Sequence, residues 1–315
     1  MRVVVTGASG FIGSYLVDRL LERGDEVHAW VRPGSPEPAA HKGVVARHEV
    51  DLLDPSSVSS ALSRSQPAEI HHLAAQSLPT VSWQQPWETF RVNVAGTVNL
   101  LEAAKDAAFA GPLVVFGSSS EYAEIASSAQ PMSEEHPLGA NSPYAASKVA
   151  ASQIAQLYHR RHRLSTRVVR PFFWIGPRKA GDFCSDVARK VIEIEKGRLE
   201  RLGVGNLDVV RDFLDVRDGV EAVLRVARDG KPGQAYNICS GTGTALSEVI
   251  ETYRRLSPVP VPLWTDPQLV RPIDEPIRVG DPARVVALGW QPMRRLADTL
   301  AEIVAYWRAL DQQAG

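Results

Sequence analysis

The stretch TGASGFIG, Thr6 to Gly13, follows the β-branched run RVVVT and precedes an apolar-periodic segment, Phe11 to Arg23. Three glycines so spaced between a strand and a helix leave the chain few choices. Gly7 permits a tight turn, Gly10 lets the backbone approach a phosphate, and Gly13 lets helix and sheet pack closely. The free N–H groups and the dipole of the helix N-terminus then face the phosphate charge. Gly7, Ser9, Gly10, Phe11, Ile12 and Gly13 are therefore expected to hold a dinucleotide pyrophosphate.

The following segments keep the alternation that this start implies. Strands are expected at 26–32, 44–50, 69–73, 111–116 and 166–170, with long helices at 87–107 and 144–162. Strands alternating with helices call for an α/β fold with a parallel, doubly wound sheet. After about residue 170 the rhythm breaks, and prolines and glycines become frequent. Residues 209–215 and 234–239 still read as strands. A last helix at 296–310 carries Leu300, Ile303, Val304 and Trp307 on one face.

Composition narrows the function classes. The chain has 315 residues, 44% hydrophobic and 23% charged, with a net charge of -1. No overall basic field points to nucleic acid. No apolar stretch approaches the length of a membrane span. The two cysteines, Cys184 and Cys239, do not make a disulfide framework, and no signal peptide is read at the N-terminus. A cytoplasmic protein is expected.

The end of the second strand selects between dinucleotides, because an acid there binds the adenosine ribose and disfavours a 2′-phosphate. The stretch here is HAWVR, residues 28–32, without an acid. Arg32 suits a phosphate through charge-assisted hydrogen bonds, so NADP(H) is expected over NAD(H). Asp51 and Leu52, after the third strand, suit the adenine edge.

Tyr144 and Lys148 stand at i and i+4, on one face of a helix. A nearby cation stabilises a phenolate, so the tyrosine pKa is expected to fall toward the working range. A serine cluster, FGSSSEYAE at 116–124, precedes the pair, and Ser142-Pro143 stops the chain just before the helix.

With TGASGFIG, HLAAQS (72–77), the serine cluster and YxxxK in this order, the chain resembles the extended short-chain dehydrogenases/reductases that act on nucleotide sugars. The likeness runs on through Asn93 to Thr97, Arg170-Pro171, Gly176-Pro177, Arg211-Asp212-Phe213 and Arg271-Pro272. It implies a Rossmann domain over 1–168 and a smaller, mainly nucleotide-sugar-binding domain over 169–315, with part of 207–240 returning to the first. It implies Tyr144 as acid/base and Ser118 as helper hydroxyl. Lys148 would lower the pKa of Tyr144 and hold the nicotinamide ribose. Leu73, Ala74, Ala75 and Asn93 would line the cofactor. Gln76, Ser77, Ser119, Ser120, Phe173, Arg178, Lys190, Arg211, Arg271 and Asp274 would face the substrate, with Arg211 and Arg271 on the diphosphate. A homodimer is implied through the helices at 87–107 and 144–162, with Ala95, Leu100, Leu101, Ala150, Ala151, Ile154 and Leu157 at the contact.

Within this family, 4,6-dehydratases carry a glutamate two residues before the tyrosine that matches Tyr122. Ser120 stands at that position, and Glu121 is one residue out of register. In an extended segment Glu121 would face the other way. The phrases GNLDVVRDFLDVRD and YNICSGTGTALSEV resemble the GDP-4-keto-6-deoxymannose reductase group. Reduction of a 4-keto nucleotide sugar is therefore the leading expectation. A 4,6-dehydratase or 4-epimerase is the alternative within the family, and a non-catalytic dinucleotide sensor the alternative outside it. Phe173 and Trp174 replace the polar groups usual there, as core or as the wall of a more apolar sugar pocket. His71 and His72 adjoin on a strand and cannot chelate together, so no metal site is expected.

Overall fold

The computed structural model describes residues 1–35, 46–124, 130–270 and 275–314. The first half contains β1 (Arg2–Thr6), α1 (Phe11–Glu22), β2 (Glu26–Val31), β3 (Ala46–Glu49), α2 (Pro55–Ser65) and β4 (Glu69–His72). It continues with α3 (Pro79–Gln84), α4 (Pro86–Phe90), α5 (Gly96–Asp106), β5 (Leu113–Phe116), α6 (Pro143–His162) and β6 (Thr166–Pro171). Then come β7 (Phe173–Ile175), α7 (Phe183–Glu195), β8 (Leu202–Val204), β9 (Val210–Arg211), β10 (Phe213–Asp215), α8 (Val216–Asp229) and β11 (Ala235–Ile238). The chain ends with β12 (Thr244–Ala245), α9 (Leu246–Leu256), β13 (Leu263–Thr265), β14 (Ile277–Arg278), α10 (Ala283–Val286) and α11 (Leu296–Ala314).

Seven parallel strands form one sheet in the order β3-β2-β1-β4-β5-β6-β11. Its faces follow from the period of two along each strand. In β1, Val4 joins the core that also holds Leu62, Leu100, Leu101 and Ala155 from α2, α5 and α6. Val3 and Val5 join Leu16, Val17 and Leu20 of α1 and Val220 of α8 on the other face. Covered on both faces, β1 and β5 read as apolar runs rather than alternations. The strand order reverses between β1 and β4, whose ends Thr6 and His72 are paired. A sheet of this kind opens its ligand crevice there.

A second apolar core forms around α7, α9 and α11, with Val191, Tyr253 and Ile303 wholly buried. The expected face of α11 is there: Leu300, Ile303 and Val304 are buried and Trp307 packs against them. Short sheets carry the connecting segments: β7 beside β10, β9 between β12 and β14, and β8 beside β13. Among the described residues, no helix is long and apolar enough to cross a membrane.

Two expectations about elements need correction. The helix at 87–107 is not continuous: α4 and α5 are joined by a π-helical turn, Arg91–Ala95. The extra residue in that turn rotates Asn93 inward. The strand at 209–215 is two strands, broken at Asp212. Its backbone donates to the carbonyl of Arg278 in β14 and accepts from the N–H of Phe173 in β7, while its buried side chain accepts from Ser240, Gly241 and Gly280.

Candidate active site

The glycine loop is built as its spacing requires. Gly7 has φ +67°, and a Cβ there would stand 2.8 Å from the backbone nitrogen of Ala74. A Cβ on Gly13 would collide with the carbonyl of Gly7. Gly10 caps α1 with no side-chain bond, which leaves the first N–H groups of the helix open to a ligand. This cradle, which a Cβ would fill, fits a dinucleotide pyrophosphate. Arg32 is exposed just past β2. Asp51 turns the chain by accepting from the N–H of Leu53 at 2.9 Å, and the carbonyl of Leu52 accepts from Asn99 at 2.8 Å.

Behind the loop runs a chain of buried hydrogen bonds. The Thr6 hydroxyl accepts from the N–H groups of Leu73 (3.1 Å) and Ala74 (3.0 Å), so its own proton goes to Nδ1 of His72 at 2.8 Å. Nε2 of His72 then donates to Thr97 at 3.0 Å, and Thr97 donates to the carbonyl of Asn93 at 2.7 Å. Burial, with Lys148 adding to it, pulls His72 down to about 3, so the ring is neutral. Asn93 accepts from the N–H of Gln76 at 2.7 Å and donates to its carbonyl and to Ser147. Ser147 donates to the carbonyl of Tyr144 at 2.7 Å. The glycine loop is thus tied to the helix that carries Tyr144 and Lys148.

Helix α6 starts where Ser142-Pro143 sets it: the Ser142 hydroxyl accepts from the N–H of Ala145 at 3.1 Å. Lys148 is 6% exposed, and its ammonium donates to the carbonyl of Phe116 at 2.7 Å. Burial draws Lys148 down to about 8. The expected lowering of Tyr144 is overturned. Burial pushes its phenol up to about 12, and the opposing influence is a hydrogen bond with Ser118. The ammonium is turned to Phe116, so the phenol rests in its protonated form.

Ser118 caps a short 3-10 turn, Ser119–Glu121. Its hydroxyl lies 2.7 Å from that of Ser120, beside Tyr144. The segment is therefore not extended, and the orientation of Glu121 has another cause. In a 3-10 turn i and i+3 eclipse, so Glu121 folds back onto the backbone of Ser118. Both carboxylate oxygens are bonded there, to Ser118, Ser152 and Arg170.

The other expected substrate residues fall in several places. Gln76 directs its side-chain amide to the backbone of Leu78 and to Thr89. Ser77 is exposed near the crevice, while Ser119 is buried with its carbonyl bonded by Arg278. Arg178 pairs with Asp18 at 2.6 Å and lies over the Tyr15 ring, against α1. Lys190 is half-buried on α7. Arg211 donates to the carbonyl of Glu275 at 2.8 Å and sits over the ring of Phe173. Phe173 is half-buried against Phe213, whereas Trp174 is core, donating to the carbonyl of Ile238. Arg271 and Asp274 lie outside the described residues.

Sequence reasoning missed Glu121 with Arg170, the Thr6–His72–Thr97 relay, and Arg278, which reaches Ser119 from the C-terminal part. A signal existed. His72 and Arg170 are polar residues in strands buried on both faces, and such groups must find partners.

Four likenesses to known proteins bear on this geometry. The chain is 33% identical to GDP-6-deoxy-D-mannose reductase of Pseudomonas aeruginosa, over 98% of this chain and 97% of that one. It is 32% identical to UDP-glucose 4-epimerase of Mycolicibacterium smegmatis, over 99% and 100%. The solved structure of RMD from Pseudomonas aeruginosa complexed with NADPH superposes with a TM-score of 0.87 at 31% identity, covering 98% of this chain and 100% of that chain. Residues 3–239 match the NAD dependent epimerase/dehydratase family. Glycine cradle, parallel sheet, the Tyr144/Lys148 pair one turn apart on α6 and these likenesses agree, and the chain belongs to that family of extended short-chain dehydrogenases/reductases.

Proposed function

We propose that this protein is an NADPH-dependent reductase of a nucleotide-linked 4-keto-6-deoxy sugar, with GDP as the nucleotide. The observation that carries the reading is Glu121. It is 0% exposed, and both oxygens are engaged by Ser118, Ser152 and Arg170. The residue facing the Ser118 hydroxyl is Ser120, which has too high a pKa to act as the base that dehydration needs. When bound, the dinucleotide supplies the hydride that reduces the C4 carbonyl. Tyr144, half-buried and protonated, gives its proton to the C4 oxygen. Ser118 hydrogen-bonds the same oxygen and shares its developing charge. Lys148, the pyrophosphate cradle and Arg32 orient the cofactor; the missing acid after β2 supports NADPH over NADH. Arg211, together with Arg271, grips the diphosphate.

The relatives named for GDP-6-deoxy-D-mannose and for UDP-glucose divide the family by substrate. The C-terminal part around α7, α9 and α11 is inferred to hold the nucleotide sugar. The test is NADPH consumption with GDP-4-keto-6-deoxymannose, expected at one equivalent per sugar. Incubation with GDP-mannose and catalytic NADP⁺ is expected to leave the sugar unchanged. Accumulation of a 4-keto-6-deoxy product there would make the protein a dehydratase instead.

A further inference from the structure

We propose that Glu121 is a positioning residue of this site: its carboxylate sets Ser118 against Tyr144 and supplies the negative charge that faces the buried Lys148 ammonium. The inference rests on the ketoreductase reading for its kinetic part only.

One carboxylate oxygen of Glu121 accepts from the backbone N–H of Ser118 at 2.9 Å and from the Ser152 hydroxyl at 2.8 Å. The other accepts from Nε of Arg170 at 2.9 Å. The carboxylate fills the space left by the missing side chain of Gly117, where a Cβ would collide with it. Four residues from three elements thus converge on one wholly buried group. The bond to the Ser118 backbone fixes that residue at the head of the turn, where its hydroxyl accepts from the N–H of Ser120 at 3.1 Å and lies 2.7 Å from the Ser120 hydroxyl.

The charge has a second destination. Ser152 follows Lys148 by one helical turn on α6, so the two share a face. The Lys148 ammonium is bonded to Phe116, next to Gly117. The titratable groups that act on it are neutral His72 from β4 and Glu121 from the turn after β5, with Arg170 of β6 behind Glu121, while Tyr144 stands one turn before it on α6. Burial pulls Lys148 toward the neutral amine, and Glu121 pulls it back. Burial also raises Glu121, but Arg170 and the hydrogen bonds from Ser152 and Ser118 oppose this by favouring the ionised form. A carboxylate placed one residue differently would enter the pocket; here it works from behind.

The experiment separates charge from geometry. Glu121→Gln keeps an oxygen for Ser118 and removes the charge. The Lys148 titration is followed by NMR of ¹³C-lysine-labelled protein without cofactor, with Lys148→Met giving the assignment. Its midpoint is expected to fall by about one pH unit or more. The alkaline limb of kcat/KM moves down equally, while the sugar KM stays. Glu121→Gln with Arg170→Met also removes the guanidinium that Glu121→Gln alone would leave buried without its carboxylate, and must show a shift of the same sign. Glu121→Ala, which also frees Ser118, is expected to lower kcat a further tenfold or so. An unchanged Lys148 midpoint in the folded variants, or equal kcat in the Gln and Ala variants, overturns the proposal. If the wild type reduces no 4-keto sugar, the functional reading falls, and the NMR titration still decides the charge.

Discussion

Desolvation pushes the Tyr144 phenol up to about 12, so the phenol is the form proposed to give its proton to the sugar. Tyr144→Phe is expected to lower kcat by about a hundred- to ten-thousand-fold. NADPH binding, followed by fluorescence, should persist. Arg32 carries a different expectation. Losing a phosphate contact costs about 1.5–3 kcal/mol, or about ten- to a hundred-fold in Kd. Arg32→Ala should weaken NADPH by that factor and leave NADH unaffected. Equal NADPH and NADH affinity in the wild type would refute the assignment. His72 gives a pH dependence. Its folded pKa, about 3, lies below the ordinary 6.5. Between these values only the unfolded chain takes the proton, so stability is complete above about pH 6.5 and falls as pH drops toward 3. His72→Gln should flatten that part of the stability–pH curve measured by thermal melts.

At the scale of elements, α6 and the glycine turn were legible in the sequence because local chemistry writes them. Ser142 and Pro143 announce the helix start, and the cap they form is observed. Ser142→Ala should cost about 1 kcal/mol in denaturant unfolding. The break at Arg91–Ala95 was not legible. Residues 87–107 have good helical spacing, and nothing local marks a π turn. The turn exists because Asn93 reaches Gln76 and Ser147, which lie 17 and 54 residues away in sequence. The 3-10 turn behind Ser118 has the same origin in Glu121 and its distant partners. An extended reading of SSSEY was reasonable locally and wrong for that reason.

For the whole molecule, a homodimer is proposed through α4, α5 and α6, keeping Leu157 of the residues first expected but not Leu100, Leu101 or Ala151. Leu100, Leu101 and Ala151 belong to the protein's own core. Trp87 is 74% exposed and Leu157 50% exposed, and they are offered as the contact. Light scattering at micromolar concentration should give twice the chain mass, and Trp87→Glu should give the monomer. A monomeric wild type would remove the proposal. The sequence by itself determined the parallel sheet, the glycine cradle and the placing of Tyr144 and Lys148 one turn apart on a single helix, since periodicity, glycines and short-range spacing act within a turn or a strand. Only the tertiary structure decided which charges are buried, and hence that Tyr144 rests protonated, Lys148 is drawn down and Glu121 stands behind the site. Desolvation depends on everything packed around a group, and those neighbours come from strands and helices far apart along the chain.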